Sequence, residues 1–131
     1  MIERILLYDA DCSFCQRWCA WAQRRGAEIA IRFEPCQPAI DLRQRAGISD
    51  AECGHAAFLV DIDGDGRVSR THRAAAAING VLARLPGLGN LPYRALSLLY
   101  HVPGLRQLEE WAYRLIARNR HRLGAGTCRR S

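Results

Sequence analysis

An apolar run, Ile5-Leu6-Leu7-Tyr8, is followed across the acidic link Asp9-Ala10-Asp11 by Cys12-Ser13-Phe14-Cys15. The run reads as a short buried strand from Arg4 to Tyr8. Beyond it, Cys15, Trp18, Cys19 and Ala22 recur at i, i+3, i+4 and i+7, which predicts a helix over residues 13 to 25. Phe14 and Trp21 widen its apolar stripe, and Gly26 stands where a C-cap belongs. A strand that turns into a helix through two cysteines three residues apart fixes both a local geometry and a chemistry. Residues i and i+3 of a helical turn have α-carbons about 5–6 Å apart, within the range of a disulfide. The first turn also lies at the positive end of the backbone dipole, which favours a thiolate.

The sulfur nearest the unpaired helix amides is that of Cys12, so Cys12 is read as the attacking thiolate and Cys15 as the buried resolving thiol. A free thiol titrates at about 8.5, and such a site lowers that by one to several units. Asp9 and Asp11 act in the opposite direction, because a nearby carboxylate opposes a thiolate. Asp11 is alternatively the helix N-cap, and Asp9 a semi-buried proton carrier for Cys15.

The rest of the chain alternates strand and helix signals. Glu28 to Phe33 alternates apolar and polar residues as a strand does, and Pro35 and Pro38 punctuate a turn. Ala39 to Ala46 reads as a short helix ended by Gly47. Ala56 to Ile62 is a third strand; Asp63-Gly64-Asp65-Gly66 is a turn signal, and Arg67-Val68-Ser69 returns as a fourth. Arg73 to Leu85 is Ala-rich and helical. Two more helices, 93–101 and 105–122, follow the break at Pro86-Gly87-Leu88-Gly89-Asn90. Leu105, Leu108, Ala112, Leu115 and Ile116 are expected to form the buried stripe of the last one. The order β-α-β-α-β-β-α is that of a thioredoxin-like α/β core, with two additional C-terminal helices. In that fold a CxxC between the first strand and first helix is the active site. We therefore expect one domain: a core over 1–86, a helical extension over 91–123 and a loose tail over 124–131.

With 131 residues and 49% hydrophobic content, the chain has enough apolar material for one core. No apolar run is long enough to span a membrane, and the N-terminus lacks the layout of a secretory signal. The expected compartment is the cytoplasm, where six cysteines suggest redox or metal chemistry more than a structural disulfide framework. Charge is uneven. Residues 1–65 hold seven Arg against eleven acidic residues, a net of −4; residues 66–131 hold twelve Arg against two, a net of +10. The basic half suits an anionic partner, with Arg118, Arg120 and Arg122 as candidate contacts, or is simply a solvated helix face.

Other constellations carry less. Cys12, Cys15 and Cys19 share a face and could hold zinc or an iron–sulfur cluster, with Cys36 or His55 as a fourth ligand. No second CxxC exists, so core packing is the favoured role for Cys19. Cys36 and Cys53 lie in predicted loops as peripheral thiols. Asp61 to Ser69 resembles the start of an EF-hand loop, but His72 stands where calcium needs Glu, so a hairpin turn is favoured. The four histidines are dispersed. Tyr93, Tyr100, Trp111 and Tyr113 fall at spacings that suit packing more than base stacking.

Tyr8-Asp9-Ala10-Asp11-Cys12-Ser13-Phe14-Cys15 resembles the aromatic-Asp-Gly-x-Cys-x-x-Cys signature of the DCC family of thiol-disulfide oxidoreductases. Trp18, Arg24-Arg25 and the stretch from Phe33 to Gln37 extend the likeness. Tyr113 to Gly124 is similar to the family's C-terminal signature, and Cys128 matches a cysteine often found just after it. The resemblance implies a thioredoxin-like fold and dithiol–disulfide exchange. It departs from the pattern at Ala10, where Gly is usual. A thioredoxin also carries a cis-proline before its third strand, where this chain has Gly54-His55-Ala56, leaving His55 to fill that place.

The expected function is therefore exchange through Cys12 and Cys15. The substrate is a disulfide-containing protein or small thiol, the reductant an external dithiol, and no bound organic cofactor is needed. The alternative is a non-catalytic binding module with a basic C-terminal helical face, its cysteines packing or holding zinc or iron–sulfur.

Overall fold

The computed structural model describes residues 2–123, without the side chains of residues 117 and 120–123. Strand β1 (Glu3–Tyr8) leads into helix α1 (Ser13–Arg24), followed by β2 (Arg32–Pro35), α2 (Ile40–Ala46) and α3 (Asp50–Cys53). Then come β3 (Phe58–Ile62), β4 (Val68–Arg73), α4 (Ala75–Leu82), α5 (Leu91–Leu98) and α6 (Leu105–Leu123). The strands form one sheet in the order β2-β1-β3-β4. β1 and β2 are parallel, as a helical crossover requires, with Leu6 opposite Phe33. β3 runs antiparallel to both β1 and β4. This mixed sheet with helices on both faces is the thioredoxin-like α/β arrangement expected from the element order.

The central strands are covered on both sides, which is why they read as continuous apolar runs. Ile5 and Leu7 join Phe58, Val60 and Ile62 on one face, beneath Leu42, Ile48 and the Cys36 and Cys53 side chains. Leu6 and Leu59 point the other way, onto Cys19 and Ala22 of α1 and Ala77 and Val81 of α4. Each such aliphatic side chain contributes about 1.5–3 kcal/mol by leaving water. Gly80 lets α4 lie on β3: a Cβ there would fall 2.5 Å from Leu59 Cδ2.

The β3–β4 hairpin is built by Asp63, whose Oδ1 accepts from the amides of Asp65 and Arg67, both at 3.1 Å. Its carboxylate is thus engaged with the turn's own backbone. Helix α1 ends at Gly26, which takes a left-handed φ of +96°. Asn90 Nδ2 donates to Arg25 O at 2.9 Å and to Pro86 O at 2.6 Å, tying that helix end to the loop before α5.

Three expectations need correction. The strand foreseen over Glu28 to Phe33 begins only at Arg32. Ala27–Ile29 is a 3-10 turn, because the chain leaving Gly26 must reverse before it joins β1, and Ile29 is 80% exposed. Helix α3 was not anticipated, although Ser49 and Glu52 form a capping box: Ser49 Oγ accepts from the Glu52 amide and Glu52 Oε1 from the Ser49 amide. Finally, the stripe of α6 is not buried. Leu105, Leu108, Leu115 and Ile116 are exposed, Leu108 by 57%, and Ala112 is half-buried. The helix meets the core by polar anchors instead. Tyr113 Oη accepts from the Ala57 amide at 3.0 Å, and Glu110 Oε1 accepts from the Ala75 amide at 3.1 Å. The second anchor caps α4 just after Ala74, which holds a φ of +58° that side chains other than glycine rarely adopt.

Candidate functional site

Strand β1 ends at Tyr8, and the next four residues build the site. Asp9 is buried, and its Oδ1 accepts from the Asp11 amide at 3.0 Å, folding the link into a tight turn. The Cys12 amide donates to Asp9 O at 3.3 Å. Cys12 then caps α1 in extended conformation, φ −118° and ψ 113°, without a side-chain cap on the helix amides. Gln16 Nε2 reaches back to Ala10 O at 2.8 Å. Ala10 is not among the residues of positive φ, so alanine sits here without strain.

A second element completes the turn. Gln37, just past β2, receives the Ala10 amide at Oε1 and donates from Nε2 to Asp9 Oδ1, both at 2.9 Å. Its own carbonyl accepts from Arg43 Nη2 at 2.8 Å. The preceding residue, Cys36, donates its amide to Tyr8 O at 2.8 Å. Its sulfur is bonded to Cys53 at the end of α3, with α-carbons 5.6 Å apart.

Several assignments change. Cys36 and Cys53 are not peripheral thiols: both are fully buried and joined in a disulfide, because the chain after β2 packs Leu42 and Ile48 on the same sheet face and returns Cys53 to Cys36. Cys36 is thereby removed as a fourth metal ligand. Asp11 is not the N-cap of α1; Cys12 holds that position, and Asp11 is exposed, its amide turned to Asp9. Burial within the CxxC is inverted. Cys12 is fully buried, whereas Cys15 is half-buried. Cys12 is disulfide-bonded while Cys15 and Cys19 are in no disulfide, so its bond is not the one within the motif.

Cys19 packs in the core beside α4, and its thiol is pushed up to about 12, first by burial and then by Cys15. The Tyr8 phenol is also raised, by burial and then by Cys19. Among the described residues no group of three or more His, Cys, Asp or Glu is placed to hold a metal ion. His55 is exposed ahead of β3. Arg118 is exposed on α6; the side chains of Arg120 and Arg122 and the whole of Cys128 lie outside the described residues.

The residues that sequence reading missed are Gln37 and the Cys36–Cys53 pair. Gln37 bears no chemistry of its own and acts through its distance to a turn 27 residues away. The pairing of two cysteines 17 residues apart carries no local signal, although both flank a predicted helix.

No described helix is long and apolar enough to cross a membrane. Searches of curated proteins and of solved structures give no significant match. The family model described as DCC1-like thiol-disulfide oxidoreductase matches residues 6–125, from the middle of β1 past the end of α6. With a match of that extent, containing the whole Cys12–Cys15 turn and Gln37, the chain belongs to the DCC1-like thiol-disulfide oxidoreductase family.

Proposed function

We propose that the chain performs dithiol–disulfide exchange, with Cys12 forming the bond to the substrate and Cys15 releasing it. One observation carries this reading: Cys12, at the cap of α1, is disulfide-bonded, while Cys15, three residues on in the first turn of the same helix, is not part of a disulfide. Exchange needs that pairing of a bonded sulfur with a nearby thiol.

The Cys15 thiolate attacks Cys12 Sγ, a Cys12–Cys15 bond forms, and the former partner leaves as a thiolate that takes a proton. Over the attack by Cys12 and this release, two electrons pass from the Cys12–Cys15 dithiol to the substrate disulfide, which leaves as two thiols. An external dithiol then reduces Cys12–Cys15 and is itself oxidised, restoring both thiols. In the forward step the Cys12 thiolate, stabilised by the open amides at the start of α1, attacks one sulfur of a substrate disulfide. Asp9, buried behind the motif and oriented by Gln37, serves as the proton carrier. Asp11 adds negative charge at the rim and tempers the acidity of Cys12. The substrate class is a protein or small-molecule disulfide, handled in the cytoplasm. Cys128, seen in the sequence alone, is proposed as a third redox thiol that can form a resting pair with Cys12.

Cys15→Ser is expected to accumulate mixed disulfides through Cys12 and to lose reduction of insulin disulfides. Cys12→Ser is expected to lose both. Insulin reduction that survives Cys12→Ser would exclude the mechanism. Peptide mapping of the oxidised chain with and without Cys128→Ser tests the resting pair.

A further inference from the structure

We propose that the outward face of α5 and α6 is a docking surface for an anionic lipid bilayer. Helix α6 turns its apolar stripe away from the core. At about 100° per residue, Leu105, Leu108, Trp111, Leu115 and Ile116 share an arc of about 140°. All five are exposed, Trp111 by 53%. Tyr113 and Glu110 occupy the side turned to the core, where they accept from the Ala57 and Ala75 amides. Leu98, 65% exposed at the end of α5, and Val102, exposed in the link to α6, are apolar as well. An apolar patch of this extent on a folded chain marks a contact surface.

Charge selects the occupant. From residue 91 to residue 118 the acidic side chains are Glu109 and Glu110, and both are half-buried toward the core. The exposed ionisable side chains are Arg106, Arg114, Arg118 and His101. Arg118 and Arg114 fall beside Trp111 along one edge of the apolar arc, and Arg106 lies beyond the other edge, over the Tyr100 ring. An apolar face with an indole and a border of guanidinium groups matches a membrane interface, where acyl chains meet anionic headgroups. A second copy of the chain would bring the same cations, on a molecule of net charge +6, against one another.

The test is cosedimentation of the full chain with phosphatidylcholine vesicles, alone or with roughly a third phosphatidylserine. Binding is expected only to the anionic vesicles, weakening as salt is added, with a blue shift of tryptophan emission. Arg114→Glu with Arg118→Glu is expected to weaken it by about tenfold or more. Leu108→Ser with Trp111→Ser should abolish it. Neither pair includes a residue of the Cys12–Cys15 turn, so insulin reduction is expected to stay at the level of the unaltered chain, and circular dichroism verifies that the exposed substitutions leave the fold intact. The proposal is overturned if anionic vesicles do not bind the chain, or if both pairs of substitutions leave binding unchanged. A dimer in analytical ultracentrifugation that Leu108→Ser with Trp111→Ser dissociates, without vesicle binding, would assign the face to self-association instead.

Discussion

The carboxylate of Asp9 receives two hydrogen bonds at one oxygen, from Gln37 Nε2 and from the Asp11 amide. Gln37 also satisfies the Ala10 amide, so a single side chain from the far end of β2 fixes the turn that presents Cys12. Gln37→Leu removes both bonds while keeping bulk. We expect a loss of about 1–3 kcal/mol in urea unfolding, because a buried carboxylate and an amide lose partners together. The alkylation rate of Cys15 against pH should shift as well, since the carboxylate behind the motif is no longer oriented. Unchanged stability and an unchanged pH profile would show that Gln37 does not position the turn. Cys19 behaves differently. With its thiol pushed up to about 12 by burial, it stays neutral at physiological pH and packs against the core.

At the scale of elements, two tethers decide how helices without large buried faces are held. The Cys36–Cys53 disulfide closes a loop of 17 residues around α2 and joins β2 to α3. Chain-entropy arguments give a loop of this size about 3 kcal/mol of stabilisation. Cys36→Ser with Cys53→Ser is expected to lower the urea midpoint accordingly while retaining exchange at Cys12 and Cys15. A midpoint that does not move would deny the bond a structural role. Helix α6 depends on the other tether. Tyr113→Phe leaves the Ala57 amide without its acceptor, at a cost of about 1–3 kcal/mol. Hydrogen exchange at Ala57 and along α6 should then quicken relative to β1 and β3. Protection that is unaltered would mean the helix is held by other contacts.

For the molecule as a whole, one side chain on the outer strand makes stability depend on pH just below neutrality. His72 on β4 lies 3.9 Å from Asp61, which favours its cation, and Arg4 shares the same carboxylate at 3.6 Å. Burial outweighs that attraction, and Arg70, Arg84 and Arg4 add to it, so the imidazole titrates below its ordinary value of 6.5. The sign follows directly. Above that value the group is neutral in both states and has no effect on the balance. As pH falls through it, the unfolded chain takes up a proton before the folded one, and stability declines until the folded imidazole also titrates. His72→Gln should therefore flatten the loss of stability below pH 6.5 and leave it unchanged at higher pH. Thermal unfolding followed across that range checks it; equal slopes for both chains would refute the assignment.

Local pattern was enough for the strand–turn–helix around Cys12 and Cys15, for the Asp63 hairpin and for the strands it joins, because each rests on periodicity or on a turn residue near in sequence; the start of β2 was not legible in this way. The family likeness was legible in the same stretch. The exchange chemistry we propose rests on that stretch as well, on two cysteines at the start of a helix. Three-dimensional closure alone decided the rest. It paired Cys36 with Cys53, placed Gln37 against Asp9, and turned the apolar stripe of α6 outward while its tyrosine and glutamate faced the core. Those outcomes depend on which surfaces meet after the chain has closed on itself. A period of 3.6 residues says that a helix has an apolar side, and only the packed neighbours say which way it points.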